Sequence, residues 1–190
     1  MPEYKPNQTA TNLPIVVTKF DEESATEFVE ELKLRNQPGD EEPIVITIDS
    51  YGGQIYALLS MVDAIAEVKK PVITHCLGKA MSCGAVLLSV GNIRYASPTS
   101  TVMIHEASSF AWGNVNDVKV SSQESERLNT LLLGILATRC KTKGGVAAFK
   151  KLFSNEKRDI FLTAAEAKKL GIIDHIGSPR VTAKTGWEIK

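Results

Sequence analysis

The 190-residue chain balances 22 Lys plus Arg against 22 Asp plus Glu, and this zero formal charge supplies no overall field for nucleic acid or an anionic membrane surface. With 43% hydrophobic and 23% charged residues, the composition is that of one ordinary globular domain with its own core, which excludes more than local disorder. The three cysteines, Cys76, Cys83 and Cys140, are odd in number and form no CxxC pair, which argues against a disulfide framework or a zinc site and points to a reducing, cytoplasmic compartment.

Residues 1–12 are polar and carry Pro2 and Pro6; they are expected to be a flexible N-terminal segment. The apolar run at 13–17 is too short for a signal-peptide core. No stretch reaches the roughly 20 apolar residues that span a bilayer, and the nearest candidate, 80–90, is interrupted by Ser82, Gly84 and Ser89. The expected organisation is a single domain over 13–177 followed by a tail over 178–190.

In chain order, residues 13–18 are β-branched and followed by Asp21, Glu22 and Ser24. This reads as a strand entering a helix with acids at its positive end. Phe28, Val29 and Leu32 mark that helix to about Asn36, where Gln37, Pro38, Gly39 and Asp40 break it. Residues 43–48 form a nearly continuous apolar run, as in a parallel strand buried on both faces. Leu58, Leu59, Val62 and Ile65 give 55–68 a helical period, and 71–77 reads as the next strand. A small-residue helix over 80–90 and short strands at 93–96 and 101–105 follow. This alternation predicts an α/β fold with a parallel or mixed sheet and crossover helices. From Asp117 to about Lys141 runs one helical segment bearing Leu128, Leu131, Leu132, Ile135 and Leu136. About 24 residues extend roughly 36 Å, more than such a domain covers, so part of this helix is expected to project or to pack on a partner. After a loop, 146–153 reads as a short helix, and Thr163-Ala164-Ala165-Glu166 as a capping box whose helix ends at Leu170-Gly171.

Four places carry possible chemistry. Ser82 opens a small-residue helix after a strand, where unpaired backbone N–H groups stabilise an alkoxide or oxyanion; a serine there also serves as an ordinary N-cap. Gly52-Gly53 ends a buried strand, the edge of an α/β sheet at which ligands bind, and Gly53 has no Cβ to keep a carbonyl from its N–H. His105 closes an apolar strand, and an imidazole is the side chain suited to take a proton as a general base, although a strand-edge histidine need do nothing. Asp159 follows Lys157 and Arg158 and, alone, reads as a surface residue. His75 is expected within its strand and His175 exposed; neither has metal-ligand spacing. Trp112 and Phe110 fit either a substrate groove or packing against the long helix.

Taken together and in order, Gly52-Gly53, Gly78-Lys79-Ala80-Met81-Ser82-Cys83-Gly84-Ala85, Pro98-Thr99-Ser100-Thr101-Val102-Met103-Ile104-His105, Arg158-Asp159-Ile160-Phe161-Leu162-Thr163-Ala164-Ala165-Glu166-Ala167 and Gly171-Ile172-Ile173-Asp174 resemble the Clp protease proteolytic subunit family. The likeness spans about 13–176. It implies the ClpP/crotonase-like fold of repeated β-β-α units with a projecting handle helix, here about 113–141, entered by a strand at 113–117. It implies a serine endopeptidase without metal or other cofactor, with Ser82, His105 and Asp159 as its triad and the N–H groups of Gly53 and Cys83 as its oxyanion hole. An extended polypeptide substrate is implied to lie along Gly52, Gly53, Gln54 and Ile55 on one side and Glu106, Ala107 and Ser108 on the other. Stacked heptameric rings are implied as well, with Arg158 as a ring contact that couples assembly to triad alignment.

The chain departs from the family pattern in a few places. Tyr51 stands where a proline usually precedes the glycine pair, and the loop over 142–151 is longer than usual. The chain before Leu13 is short, and Val45 and Thr47 occupy positions where aromatic residues of an ATPase-docking pocket are common; both features argue against an AAA+ unfoldase partner. Two other readings remain open at this point. One is a Clp-like scaffold or capsid-associated subunit of little activity, and the other a crotonase-type acyl-CoA enzyme.

Overall fold

The computed structural model describes residues 13–37, 42–107, 112–140, 145–156 and 159–179. The expected N-terminal segment, Ser108, Phe110, Arg158 and nearly all of the C-terminal tail lie outside them.

Strand β1 (Ile15–Val17) leads to helix α1 (Glu22–Arg35). Asp21 caps α1: its carboxylate accepts from the Ser24 N–H, and the Ser24 hydroxyl accepts in return from the Asp21 N–H. Glu22 and Glu23 in the first turn and Lys33 and Arg35 in the last complement the helix dipole. Ala25, Phe28 and Leu32 form its buried face. Strand β2 (Ile44–Ser50) is buried at nearly every position, as its unbroken apolar run requires. Helix α2 (Ile55–Glu67) buries Ala57, Leu58, Met61 and Ile65.

Strand β3 (Val72–Met81) runs beyond the expected 71–77, up to Ser82 itself, and helix α3 is confined to Cys83–Ser89. The extension exists because β3 changes partners. Its first half pairs in parallel with β4 (Ile93–Ala96) and its second half with β5 (Thr101–Ile104). Strand β5 also pairs antiparallel with β6 (Ile160–Thr163), which the sequence pattern did not mark, and β4 pairs with the two-residue β7 (His175–Ile176). The resulting seven-stranded sheet has the order β1-β2-β3-β4-β7, with β5 and β6 branching from the far end of β3. Helix α3, small-residued and buried throughout, packs chiefly on β3.

Helix α4 (Val115–Arg139) is the long helix, and it starts with a capping box on Asn114 and Asp117. Residues 113–117 therefore form a cap and first turn, not the strand expected there: Asn114 accepts from the N–H groups of Asn116 and Asp117, which commits the backbone to helix. Only Leu128, Leu133, Leu136 and Ala137 of α4 are buried, while Val115 and Val120 near its start are exposed. The long helix expected there is present, with its first turns exposed. Helix α5 (Gly145–Glu156) contains the short helix expected over 146–153 and replaces most of the long loop expected over 142–151, because Phe149 and Phe153 recur at helical spacing and both are buried. Helix α6 (Ala164–Lys169) opens on the expected Thr163–Glu166 capping box.

His75 is buried in β3, with Nε2 3.0 Å from the Ser97 hydroxyl. His175 is exposed at β7 and stacked on Tyr95. The base of the handle is tied to the sheet through Arg94, which reaches both carboxylate oxygens of Asp174 and the carbonyls of Gly171 and Arg139. Among the described residues no helix is long and apolar enough to cross a membrane.

Candidate active site

Ser82 stands between β3 and α3 with φ 53° and ψ −117°, and among the described residues it is the one non-glycine with positive φ. A side chain held in that region costs on the order of 1–3 kcal/mol, strain that surrounding contacts must offset. Those contacts are explicit. The Ser82 N–H donates to the Met103 carbonyl on β5 (2.9 Å), and the Ser82 carbonyl accepts from the Ala85 and Val86 N–H groups of α3. The sharp turn aims the hydroxyl outward. Although Ser82 occupies the N-cap position, its side chain makes no capping bond; Oγ lies 2.7 Å from His105 Nε2 instead.

His105 is carried there by β5, whose parallel pairing with β3 ends at Met81↔Met103. One register thus delivers both residues to the same edge. Asp159 comes from the opposite side of β5, just before β6, which pairs Ile104 with Ile160. Its Oδ1 lies 3.9 Å from His105 Nδ1, with the Asp159 side chain 55% exposed. That separation is within ion-pair reach but beyond a hydrogen bond. The structure therefore brings Ser82 and His105 into contact and leaves Asp159 about one ångström short of it.

The glycine pair meets the serine from β2. Gly52 has φ +105°, and a Cβ on it would fall 2.8 Å from Ser82 Cβ and 3.3 Å from the Cys83 N. Gly53 has φ +155°, and a Cβ there would fall 2.4 Å from the Phe20 carbonyl oxygen. A side chain at Gly52 would press on the serine, and one at Gly53 on the backbone of Phe20. Gly53 forms an isolated parallel bridge with Phe20, and the bond of that bridge comes from the Gln54 N–H at 2.8 Å. Cys83, 2% exposed, turns its thiol onto the Gly53 carbonyl at 3.3 Å. Burial pushes that thiol above its usual range, so it stays a protonated donor. Cys83 is also the first residue of α3, a position whose N–H has no partner inside the helix.

A cavity of about 60 Å³ opens beside Ser82 and His105. Gly53, Ile55 and Val86 line one side, and Leu132, Leu133 and Leu136 of the handle the other. Of the residues expected along a substrate, Gly53, Ile55 and Ala107 line this cavity. Gln54 commits its N–H to Phe20, and Glu106 is exposed. The Ala107 N–H is not open for strand pairing either, because it donates to Asn129 Oδ1 at 3.0 Å. Asn129 and the leucines of α4 are site residues that the sequence reading missed. The available signal was a lone amide beside the leucines of a helix that otherwise reads as packing.

The arrangement can transfer a proton from a hydroxyl to an imidazole beside a strained turn with nearby backbone donors, which is the outline of acyl transfer. Comparison with known proteins agrees. The family model described as Clp protease matches residues 10–180. The chain belongs to the Clp protease family. It is also 34% identical over 163 residues to the ATP-dependent Clp protease proteolytic subunit of Deinococcus radiodurans, an alignment covering 85% of this chain and 78% of that relative. The chain is accordingly a serine-type peptidase, of a family whose members form oligomeric rings and work with Clp ATPases.

Proposed function

We propose that this chain is an endopeptidase in which Ser82 is the nucleophile, His105 the general base and Asp159 the group that orients the histidine. The observation that carries the reading is the 2.7 Å contact between Ser82 Oγ and His105 Nε2 at a strained turn facing Gly53. In the acylation step Oγ bonds to the scissile carbonyl carbon as its proton passes to Nε2. The carbonyl oxygen becomes an oxyanion that accepts from the N–H groups of Gly53 and Cys83. Collapse breaks the C–N bond, His105 returns the proton to the departing amine, and an ester remains on Ser82. Water, deprotonated by the same imidazole, hydrolyses the ester.

The substrate is an extended stretch of unfolded polypeptide or a short peptide, paired strand-like with the backbone at Gly53 and Ile55. Since the Ala107 N–H is spent on Asn129, the opposite side pairs through other groups of the Glu106–Ser108 segment, of which Ser108 lies outside the described residues. The cavity formed by Ile55, Val86, Leu132, Leu133 and Leu136 suits an apolar side chain of modest size next to the cleaved bond.

Assembly completes the site. The exposed first turns of the handle, with Val115, Val118 and Val120, supply apolar surface for stacking two heptameric rings into a chamber. Ring formation closes the 3.9 Å gap between Asp159 and His105, so the isolated protomer has little activity. Val45 and Thr47 are buried in the sheet and offer no exposed contact to an ATPase. Three buried, unpaired cysteines suit a reducing cytoplasm.

Labelling with a fluorophosphonate followed by peptide mapping tests this assignment. The adduct is expected on Ser82 in the assembled protein, at a much lower rate in the dissociated protomer and not at all in His105→Ala. An assembled protein that hydrolyses peptides without ever labelling Ser82 would overturn it.

A further inference from the structure

Between Ile48↔Cys76 and Ser50↔Ala80, two residues of β2 advance against four of β3. The surplus forms a bulge at Leu77, Gly78 and Lys79, the point at which β3 leaves β4 for β5. Bulges beside active sites re-aim the chain that follows them, and here that chain ends in Ser82. One side chain crosses the bulge. Lys79 Nζ lies 2.7 Å from Oδ1 of Asp49, the β2 residue opposite the bulge, and 4.4 Å from the centre of the Tyr51 ring. The Asp49 carboxylate rests against Gly78 (φ +89°), where a Cβ would come within 3.0 Å of Oδ1. The positive φ favours glycine here, and a side chain would crowd the carboxylate as it reaches Lys79.

Tyr51 directly precedes Gly52-Gly53, and Lys79 comes three residues before Ser82. Tyr51 is 75% exposed, so burial does little to hold its ring, and the Lys79 ammonium lies over the ring face. An ion pair and a cation–π contact thus span the turn before the glycine pair from the neighbouring strand.

We infer that Lys79, anchored by Asp49 and bearing on the Tyr51 ring, is a positioning residue that sets the distance between Gly53 and Ser82. The inference rests on the proposal that the Gly53 and Cys83 N–H groups receive the oxyanion. Such donors act within a few tenths of an ångström of their target, so loosening the turn lowers the rate of the chemical step. Ground-state binding, carried by strand pairing and the apolar cavity, is left in place. The signature is a loss in kcat with KM held.

The test compares assembled wild type with Lys79→Met, Tyr51→Ala and their double variant, and with the conservative changes Lys79→Arg and Tyr51→Phe. Peptide hydrolysis and affinity for a peptidyl boronate, a tetrahedral adduct former, are measured in each. Both non-conservative single variants are expected to lose about tenfold in kcat and in boronate affinity, with KM within about twofold. The double variant falls no further than either, while Lys79→Arg and Tyr51→Phe recover most of the loss. Tyr51 is exposed, so Tyr51→Ala keeps the fold, and native mass and unfolding midpoint check this for every variant. Unchanged kcat and boronate affinity in Lys79→Met and Tyr51→Ala, additive losses in the double variant, or a rise in KM at constant kcat would each overturn the inference. Failure of the underlying peptidase assignment is separately visible, as wild type that neither hydrolyses peptide nor labels on Ser82.

Discussion

Gly52 lies so close to Ser82 that a Cβ on the glycine would be 2.8 Å from the Cβ of the serine. The nucleophile and the strand end that faces it are thus held at a separation only a bare Cα permits. Gly52→Ala must both relieve this clash and leave φ +105°, a region closed to alanine. Loss of at least about 100-fold in kcat is expected, since misplacing one oxyanion donor has that scale. Assembly is expected to persist, with kcat read alongside native mass.

Asn129 connects the handle to the segment after His105 by accepting the Ala107 N–H at 3.0 Å. Removing the acceptor leaves a part-buried donor unpaired, a cost of about 1–3 kcal/mol. Asn129→Ala should lower the unfolding midpoint and reduce kcat about tenfold, whereas Asn129→Asp keeps an acceptor and should retain more of both. Unfolding curves and steady-state kinetics on the pair check this.

Cys83 adjoins the nucleophile, but its thiol is buried, raised above its ordinary pKa by desolvation, and bonded to the Gly53 carbonyl. Thiolate is the reactive form. Iodoacetamide at neutral pH is expected to leave peptidase activity intact on a timescale in which an exposed cysteine is fully alkylated. Cys83→Ser, which keeps a donor, should retain more activity than Cys83→Val.

His75 supplies a pH dependence of stability separate from that of catalysis. Desolvation holds its pKa below the ordinary 6.5, so between the folded value and 6.5 the unfolded chain binds the extra proton. Stability is therefore complete above about pH 6.5 and falls as pH drops through the unfolded value toward the folded one, by at most about 1.4 kcal/mol per pH unit. Denaturant unfolding from pH 7.5 to 5 should show this slope in wild type and a weaker one in His75→Gln.

Much of the fold could be read from pattern alone, because β2 is an uninterrupted buried run, α1 and α2 carry a clear 3.6-residue period, and the Thr163–Glu166 box marks its helix exactly where it starts. What escaped was short or non-local. β6 and β7 have four and two residues, too few to establish a period, and they exist only because β5 and β4 offer edges. The bulge in β3 was hidden because Gly78 reads as a turn that closes the strand at Leu77, which made the small residues from 80 on look helical. Ser82 and His105 were named from ordered motifs, and their adjacency follows from the β3–β5 register. Lys79 and Asp49, 30 residues apart, and Asn129, set among leucines, become meaningful only when the chain is folded.

The most direct test of the central claim is peptide hydrolysis by assembled wild type and assembled Ser82→Ala, matched for native mass. Wild type is expected to cleave after apolar residues of modest size, and Ser82→Ala to assemble identically with kcat reduced by about 10⁴-fold or more. Equal rates in the two proteins would contradict the account.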